Sequence, residues 1–193
     1  MTEKTISFKR EFIPNIIAGV KTRSSRLKKE GERMILDEAS ERLPFRVIIG
    51  DGKPVEKFRE KGVYQVVVDE EPVWYCPSCG FALCNFPKEA YCYESRKTVK
   101  FIPLLIKVLS IKEQKLMDIT NAEAEAEVGT GFKYPRQVFF PNFWECYWNK
   151  IPCKYDNQCA TSNDCGDCGC VEDKLYEWNP SVWALRFKKA NKK

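Results

Sequence analysis

Ala18-Gly19-Val20-Lys21-Thr22-Arg23-Ser24-Ser25-Arg26 is the stretch on which the reading of this chain turns. It closes an apolar segment, residues 12–20, in which Phe12, Ile16, Ile17 and Val20 have helical spacing and Pro14 fits only the first turn. Gly19 falls where such a helix should end. A lysine, hydroxyls and arginines then crowd together. Working outward, Leu116-Met117-Asp118-Ile119-Thr120 leads into NAEAEAEVG, residues 121–129. Thr120 and Glu123 have capping-box spacing, Ile119 and Ala124 are placed for a hydrophobic staple, and Gly129 is a natural stop. Near the C-terminal end runs Trp178-Asn179-Pro180-Ser181-Val182-Trp183-Ala184-Leu185-Arg186-Phe187, whose residues 182–187 read as a strand.

These three segments, in this order, resemble the ASCH family, small β-barrels of the PUA-like group tied to RNA and modified nucleosides. Gly19, Lys21, Thr22, Ser24 and Arg26 match a G-x-K-T-x-T-x-R block, with Ser24 in place of the family's second threonine. The other two segments resemble the family's L-x-D-I-T turn with its acidic helix, and its N-P-x-V-W closing strand. The resemblance implies an α+β fold, a PUA-like/ASCH β-barrel with peripheral helices, over one domain of residues 1–193. It leaves two cysteine-rich insertions, 69–96 and 146–173, outside the family pattern. Residues 5–8, 46–50, 63–68 and 107–111 read as further strands, and residues 141–150, with Phe143, Trp144, Tyr147 and Trp148, as a second helix.

Some ASCH proteins hydrolyse the amide of N4-acylated cytidines with a lysine, a threonine and a glutamate. The resemblance carries these roles to Lys21, Ser24 and Glu127. A desolvated lysine can act as general base, Ser24 as nucleophile, Glu127 as proton shuttle, and Arg26 can steady the oxyanion. The same cleft can instead bind without catalysis. Lys21, Thr22, Arg23 and Arg26 would then meet RNA or a modified nucleoside, and Trp183 or Trp144 would stack a base. A plainer account stands beside both: residues 21–26 as a solvated basic loop, Glu127 as an exposed helix residue, and Trp144 and Trp148 as core. RNA or nucleoside binding is the leading reading and amidohydrolase the alternative.

Cys76-Pro77-Ser78-Cys79-Gly80 is a C-x-x-C-G knuckle, whose tight turn aims two thiolates at one tetrahedral ion. Cys84 and Cys92 follow. Cys165 and Cys168 form a second C-x-x-C among Cys146, Cys153, Cys159 and Cys170. Two such pairs point to structural zinc. Cys76, Cys79, Cys165 and Cys168 are the first candidate set, and Cys76, Cys79, Cys84 and Cys92 the local alternative. A four-thiolate site is closed, so its role is to order polar loops rather than to catalyse. The insertions would also suit a protein-interaction adaptor, a third function class.

Composition narrows the chemistry. With 193 residues and 44% hydrophobic content the chain can build a core. It contains no histidine, which excludes a Ser-His-Asp triad and His-ligated metals. The formal charge of +5 is modest, and each four-thiolate zinc would lower it by about two. The longest apolar run, residues 101–109, is too short to span a bilayer, so no membrane is expected. No signal-like leader is visible, which points to the reducing cytoplasm, where paired cysteines bind metal more often than they form disulfides.

Overall fold

The computed structural model describes residues 4–35, 46–48, 58–84, 89–129, 133, 135–139 and 179–190. In chain order these form β1 (Thr5–Ser7), a 3-10 turn (Arg10–Phe12), α1 (Ile13–Ile17), β2 (Arg23–Leu27), β3 (Arg33–Ile35) and β4 (Arg46–Ile48). Then come β5 (Val63–Val68), β6 (Glu71–Tyr75), β7 (Ala82–Cys84), β8 (Glu89–Cys92), β9 (Lys97–Lys100) and β10 (Ile102–Pro103). β11 (Leu105–Lys115), a 3-10 turn (Leu116–Asp118), α2 (Asn121–Val128) and β12 (Ser181–Ala190) complete the set. The expected second helix at 141–150 lies outside the described residues.

The main sheet has the order β10-β6-β5-β11-β12-β2, with β1 parallel to β5 and β7 against β6. It curls into a half-barrel, so the class is α+β with few helices. β3–β4 and β8–β9 are separate hairpins. The apolar pattern of β12 explains how it serves two layers. Trp183, Leu185 and Phe187 alternate into the main core with Val66, Leu104, Ile106 and Val108. Val182, on the opposite face, joins a second cluster with Leu116, Ile119, Ala124 and Val128, which seats α2 against the sheet.

β11 is longer than its alternation at 107–111 foretells. A bulge between Val108 and Ser110 interrupts the period, leaving Leu109 exposed while Val108 and Ile111 both stay buried. α1, by contrast, is shorter than residues 12–20. Its hydrogen bonding ends at Ala18, and Gly19 turns the chain with φ +74°. Lys189 Nζ then donates to the Ile17 carbonyl at 2.8 Å, a favourable place for a cation at a helix C-terminus. No helix among the described residues is long and apolar enough to cross a membrane.

The β5–β6 hairpin turns through Asp69 and Glu70, with φ of +51° and +68° and Val68 opposite Glu71. Two successive left-handed residues match a type I′ turn, which favours Asn-Gly or Asp-Gly. Neither residue is glycine, and left-handed backbone costs an L-residue about 1–2 kcal/mol. Glu70→Gly should therefore raise stability by about 0.5–1 kcal/mol in urea denaturation, part of the relief being offset by glycine's larger unfolded-state entropy.

Candidate functional site

The three sequence segments meet around β2. β12 pairs antiparallel with β2, placing Ser24 opposite Leu185, Ser25 opposite Ala184 and Arg26 opposite Trp183. Main-chain bonds tie the segments further. The Thr22 N–H donates to the Ala126 carbonyl at 2.9 Å, and the Thr22 carbonyl accepts from the Phe187 N–H at 2.9 Å. The Leu116 N–H donates to the Pro180 carbonyl at 3.0 Å, and the Met117 N–H donates to Asn179 Oδ1 at 3.1 Å.

α2 begins as its sequence predicts. Thr120 Oγ1 accepts from the Glu123 N–H at 3.2 Å, and Glu123 Oε2 accepts from the Thr120 N–H at 3.0 Å, a full capping box. Ile119 and Ala124 are buried in one cluster, as a staple requires. The helix stops at Gly129, φ +110°, where an added Cβ would lie 3.0 Å from Asn15 Nδ2. That close approach locks the end of α2 to the turn before β2. The Asn15 carbonyl accepts both the Val20 and Lys21 N–H groups, at 2.9 and 3.0 Å.

Strand alternation then sorts the side chains of β2. Arg23 and Ser25 face α2. Ser24 and Arg26 lie on the other face, the side of Leu185 and Trp183. Glu127 Oε1 accepts from the Ser25 N–H at 2.5 Å and Oε2 accepts from the Ser25 hydroxyl at 2.7 Å. Arg23 Nη1 sits 2.6 Å from Glu123 Oε1, and Arg23 Nε 3.7 Å from Glu127 Oε2. Glu123 and Glu127 are one helical turn apart, so a single guanidinium spans both. Lys21 Nζ donates to the Glu127 carbonyl and stands 4.3 Å from the centre of the Phe12 ring. Lys21, Arg23 and Glu127 are only 3%, 2% and 7% exposed, so the stretch is a buried strand entry and not a solvated loop.

The structure thus brings Lys21, Arg23 and Glu127 together and adds Ser25, Glu123 and Phe12, which the family pattern does not single out. Arg-Ser-Ser-Arg-Leu carries no alternation that would have marked Ser25 out from Ser24. Ser24 is buried on the opposite face. Arg26 donates to the Ser7 carbonyl and lies 5.0 Å from the Phe8 ring. Trp183 is fully buried, with Nε1 donating to Glu32 Oε2 at 2.7 Å, so its faces belong to the core. Trp144 and Trp148 lie outside the described residues. Partial burial raises the Glu123 carboxyl, but the Thr120 N–H and the Arg23 guanidinium outweigh it and hold it below its ordinary value.

A second cluster lies in 69–96, a segment whose first part is the sheet strand β6. The Cys76, Cys79 and Cys92 sulfurs lie within 4.8 Å of one another. Tetrahedral thiolates about 2.3 Å from an ion sit about 3.8 Å apart, so a small contraction would let these three hold one. Cys84 is not in that group, and Cys165 and Cys168 lie outside the described residues. The Cys76 N–H donates to the Phe81 carbonyl and the Gly80 N–H to the Cys76 carbonyl, both at 2.8 Å, closing the knuckle. Cys92 is lowered to about 7 by the adjacent Ser95 hydroxyl and by the Ser95 N–H. The Phe81 N–H draws Cys79 down, but burial and the Cys76 and Cys92 thiols carry it above its ordinary value. Val99, Phe101, Trp74 and Leu83 supply a small apolar base.

Removing the Glu127 carboxylate leaves the buried Ser25 N–H and hydroxyl without their acceptor and takes from Arg23 one of its two carboxylates. Glu127→Ala should cost roughly 3–5 kcal/mol in urea denaturation, and a cost under about 1 kcal/mol would contradict the network. Glu123 has a lower pKa folded than unfolded. Its stabilisation is therefore present above the unfolded carboxyl range and is lost as pH falls through the folded value. The melting temperature of Glu123→Gln should fall less steeply than the parent's between about pH 5 and pH 3.

No family model, no curated protein and no solved structure matches this chain.

Proposed function

We propose that the chain is an ASCH-like domain that binds RNA or a modified nucleoside at the Lys21–Arg23–Glu127 cluster, and that its cysteine knuckle holds a structural zinc. One observation carries the ligand reading. Arg23 is 2% exposed, yet its Nη2 has no hydrogen-bond partner and its Nε only the Glu127 carboxylate at 3.7 Å, beyond hydrogen-bond reach. Buried donors left without acceptors cost about 1–3 kcal/mol each, so such an arrangement is expected where a ligand supplies the acceptors. A nucleobase suits this site because it offers carbonyl and ring-nitrogen acceptors to Arg23 and Lys21, while its exocyclic amine can donate to Glu127. The Phe12 ring beside Lys21 adds an aromatic face.

Amidohydrolysis of N4-acylated cytidine is the second reading, favoured by the 2.7 Å contact between the Ser25 hydroxyl and Glu127. On this geometry the hydroxyl beside the carboxylate is Ser25, so the nucleophile's role passes from Ser24 to Ser25. Lys21, donating to the Glu127 carbonyl, would orient that residue.

Three close cysteine sulfurs favour a thiophilic ion, and zinc is the commonest tetrahedral choice for thiolate ligands. Binding there would order a segment whose own apolar cluster is small.

Calorimetric titration with cytidine, N4-acetylcytidine and a short single-stranded RNA at low salt tests the first reading. Binding is expected for at least one of them, weakening at least tenfold in Lys21→Met, which keeps the apolar stem. For the RNA, affinity should also fall with rising salt. No binding to any of the three at low salt would end this reading. Release of acetate and cytidine from N4-acetylcytidine, lost in Ser25→Ala and retained in Ser24→Ala, would establish the second.

A further inference from the structure

The two hairpins of the cysteine segment carry comparable turns. In the first, β6 and β7 end with Tyr75 opposite Ala82, and the Cys76 N–H reaches the Phe81 carbonyl. In the second, β8 and β9 end with Cys92 opposite Lys97. Aligned so that the Cys76–Phe81 hydrogen bond matches the Cys92–Lys97 pair, each enclosing four residues, Cys92 takes the place of Cys76 and Lys97 that of Phe81. Ser95 then takes the place of Cys79 and Arg96 that of Gly80. The backbone agrees: Gly80 has φ +77° and Arg96 φ +52°, both left-handed, although only glycine adopts that region without strain. Cys92-Tyr93-Glu94-Ser95-Arg96 thus matches the first knuckle in spacing and in its left-handed fifth residue, with an oxygen where the first has a sulfur.

The Ser95 oxygen is buried, and no donor meets its lone pairs. It lies beside the Cys92 sulfur, and Cys92 belongs to the cluster with Cys76 and Cys79. The hydroxyl proton can meet the Cys92 sulfur, but the buried oxygen's two lone pairs are left over and are available to an ion. Three sulfurs supply three corners of a tetrahedron, and the knuckle alignment puts Ser95 at the fourth.

We propose that Ser95 Oγ is the fourth ligand of a mononuclear thiophilic metal site whose other ligands are the sulfurs of Cys76, Cys79 and Cys92. The three thiols release their protons to solvent as the ion binds, and Ser95 donates a lone pair as a neutral hydroxyl. An oxygen is a harder donor than a thiolate, so this corner holds a soft ion least firmly. The assignment rests on the metal reading above and adds to it a ligand that the cysteine pattern does not contain.

Cobalt(II) and zinc, titrated into the reduced, metal-free full chain, test it in the parent and in Ser95→Cys, Ser95→Ala and Cys92→Ala. The parent-minus-Cys92→Ala difference isolates this site from the cysteines between residues 146 and 170. A tetrahedral cobalt spectrum is expected in that difference. Ser95→Cys should raise the site's sulfur-to-cobalt charge-transfer intensity by about one third, from three thiolates to four, and tighten zinc about tenfold or more. Ser95→Ala should weaken zinc about tenfold. If Cys92→Ala loses a metal while Ser95→Cys changes neither the intensity nor the affinity, another group fills the fourth corner and the assignment falls, though the metal reading stands. If Cys92→Ala loses no metal, both fall.

Discussion

The pairing of β12 with β2 on one side and β11 on the other is the constraint on which everything else in this protein depends. It fixes β2 in register, and the register decides which side chains turn toward α2. A slip of one residue would send Arg23 and Ser25 into the apolar core and bring Ser24 and Arg26 beneath the helix. The network joining Ser25 to Glu127, 102 positions away, exists only in the observed alignment. Long-range order and local chemistry are therefore one problem here.

Burying a lysine, an arginine and a glutamate beside a second, half-exposed glutamate is not an economical way to stabilise a sheet. Ion pairs lose most of their Coulombic gain to desolvation, and apolar residues of similar size would often do as well. What the arrangement gains is directional. Glu127 accepts from both polar groups of Ser25, and Arg23 bridges two carboxylates one turn apart. The end of α2 is fixed by the close fit of Gly129 on Asn15, so these side chains are held in place.

Much of this was written in the sequence, and the rest was hidden for identifiable reasons. The Thr120–Glu123 box and the Gly129 stop are local, so spacing alone revealed them. Val63–Val68 was readable because four of its six residues are valine and a fifth is tyrosine. The full length of β11 was obscured by the bulge at Leu109, which shifts the period mid-strand. β8 and β9 carry Glu89, Lys97 and Lys100, and such charged hairpins leave little apolar alternation to detect. Lys21 and Glu127 could be named together only through a family pattern. Choosing Ser25 over Ser24 required knowing that residues 23–27 form a strand and which of its faces meets α2. Trp183 was misleading because a tryptophan beside basic residues looks the same in sequence whether it stacks a base or fills a core.

The strand order also bears on how the chain reaches its native form. β2 is made early and β12 late, yet β12 lies between β2 and β11. During synthesis on the ribosome, β2 has no neighbour on that edge until nearly all of the described sequence has emerged. Loop closure over such a distance slows folding, and the unpaired edge of β2 is exposed to misassociation in the meantime. Serine and arginine, which dominate β2, are poor partners for edge-to-edge aggregation. The polar residues that later line the cluster would thus also shield the nascent strand while it waits.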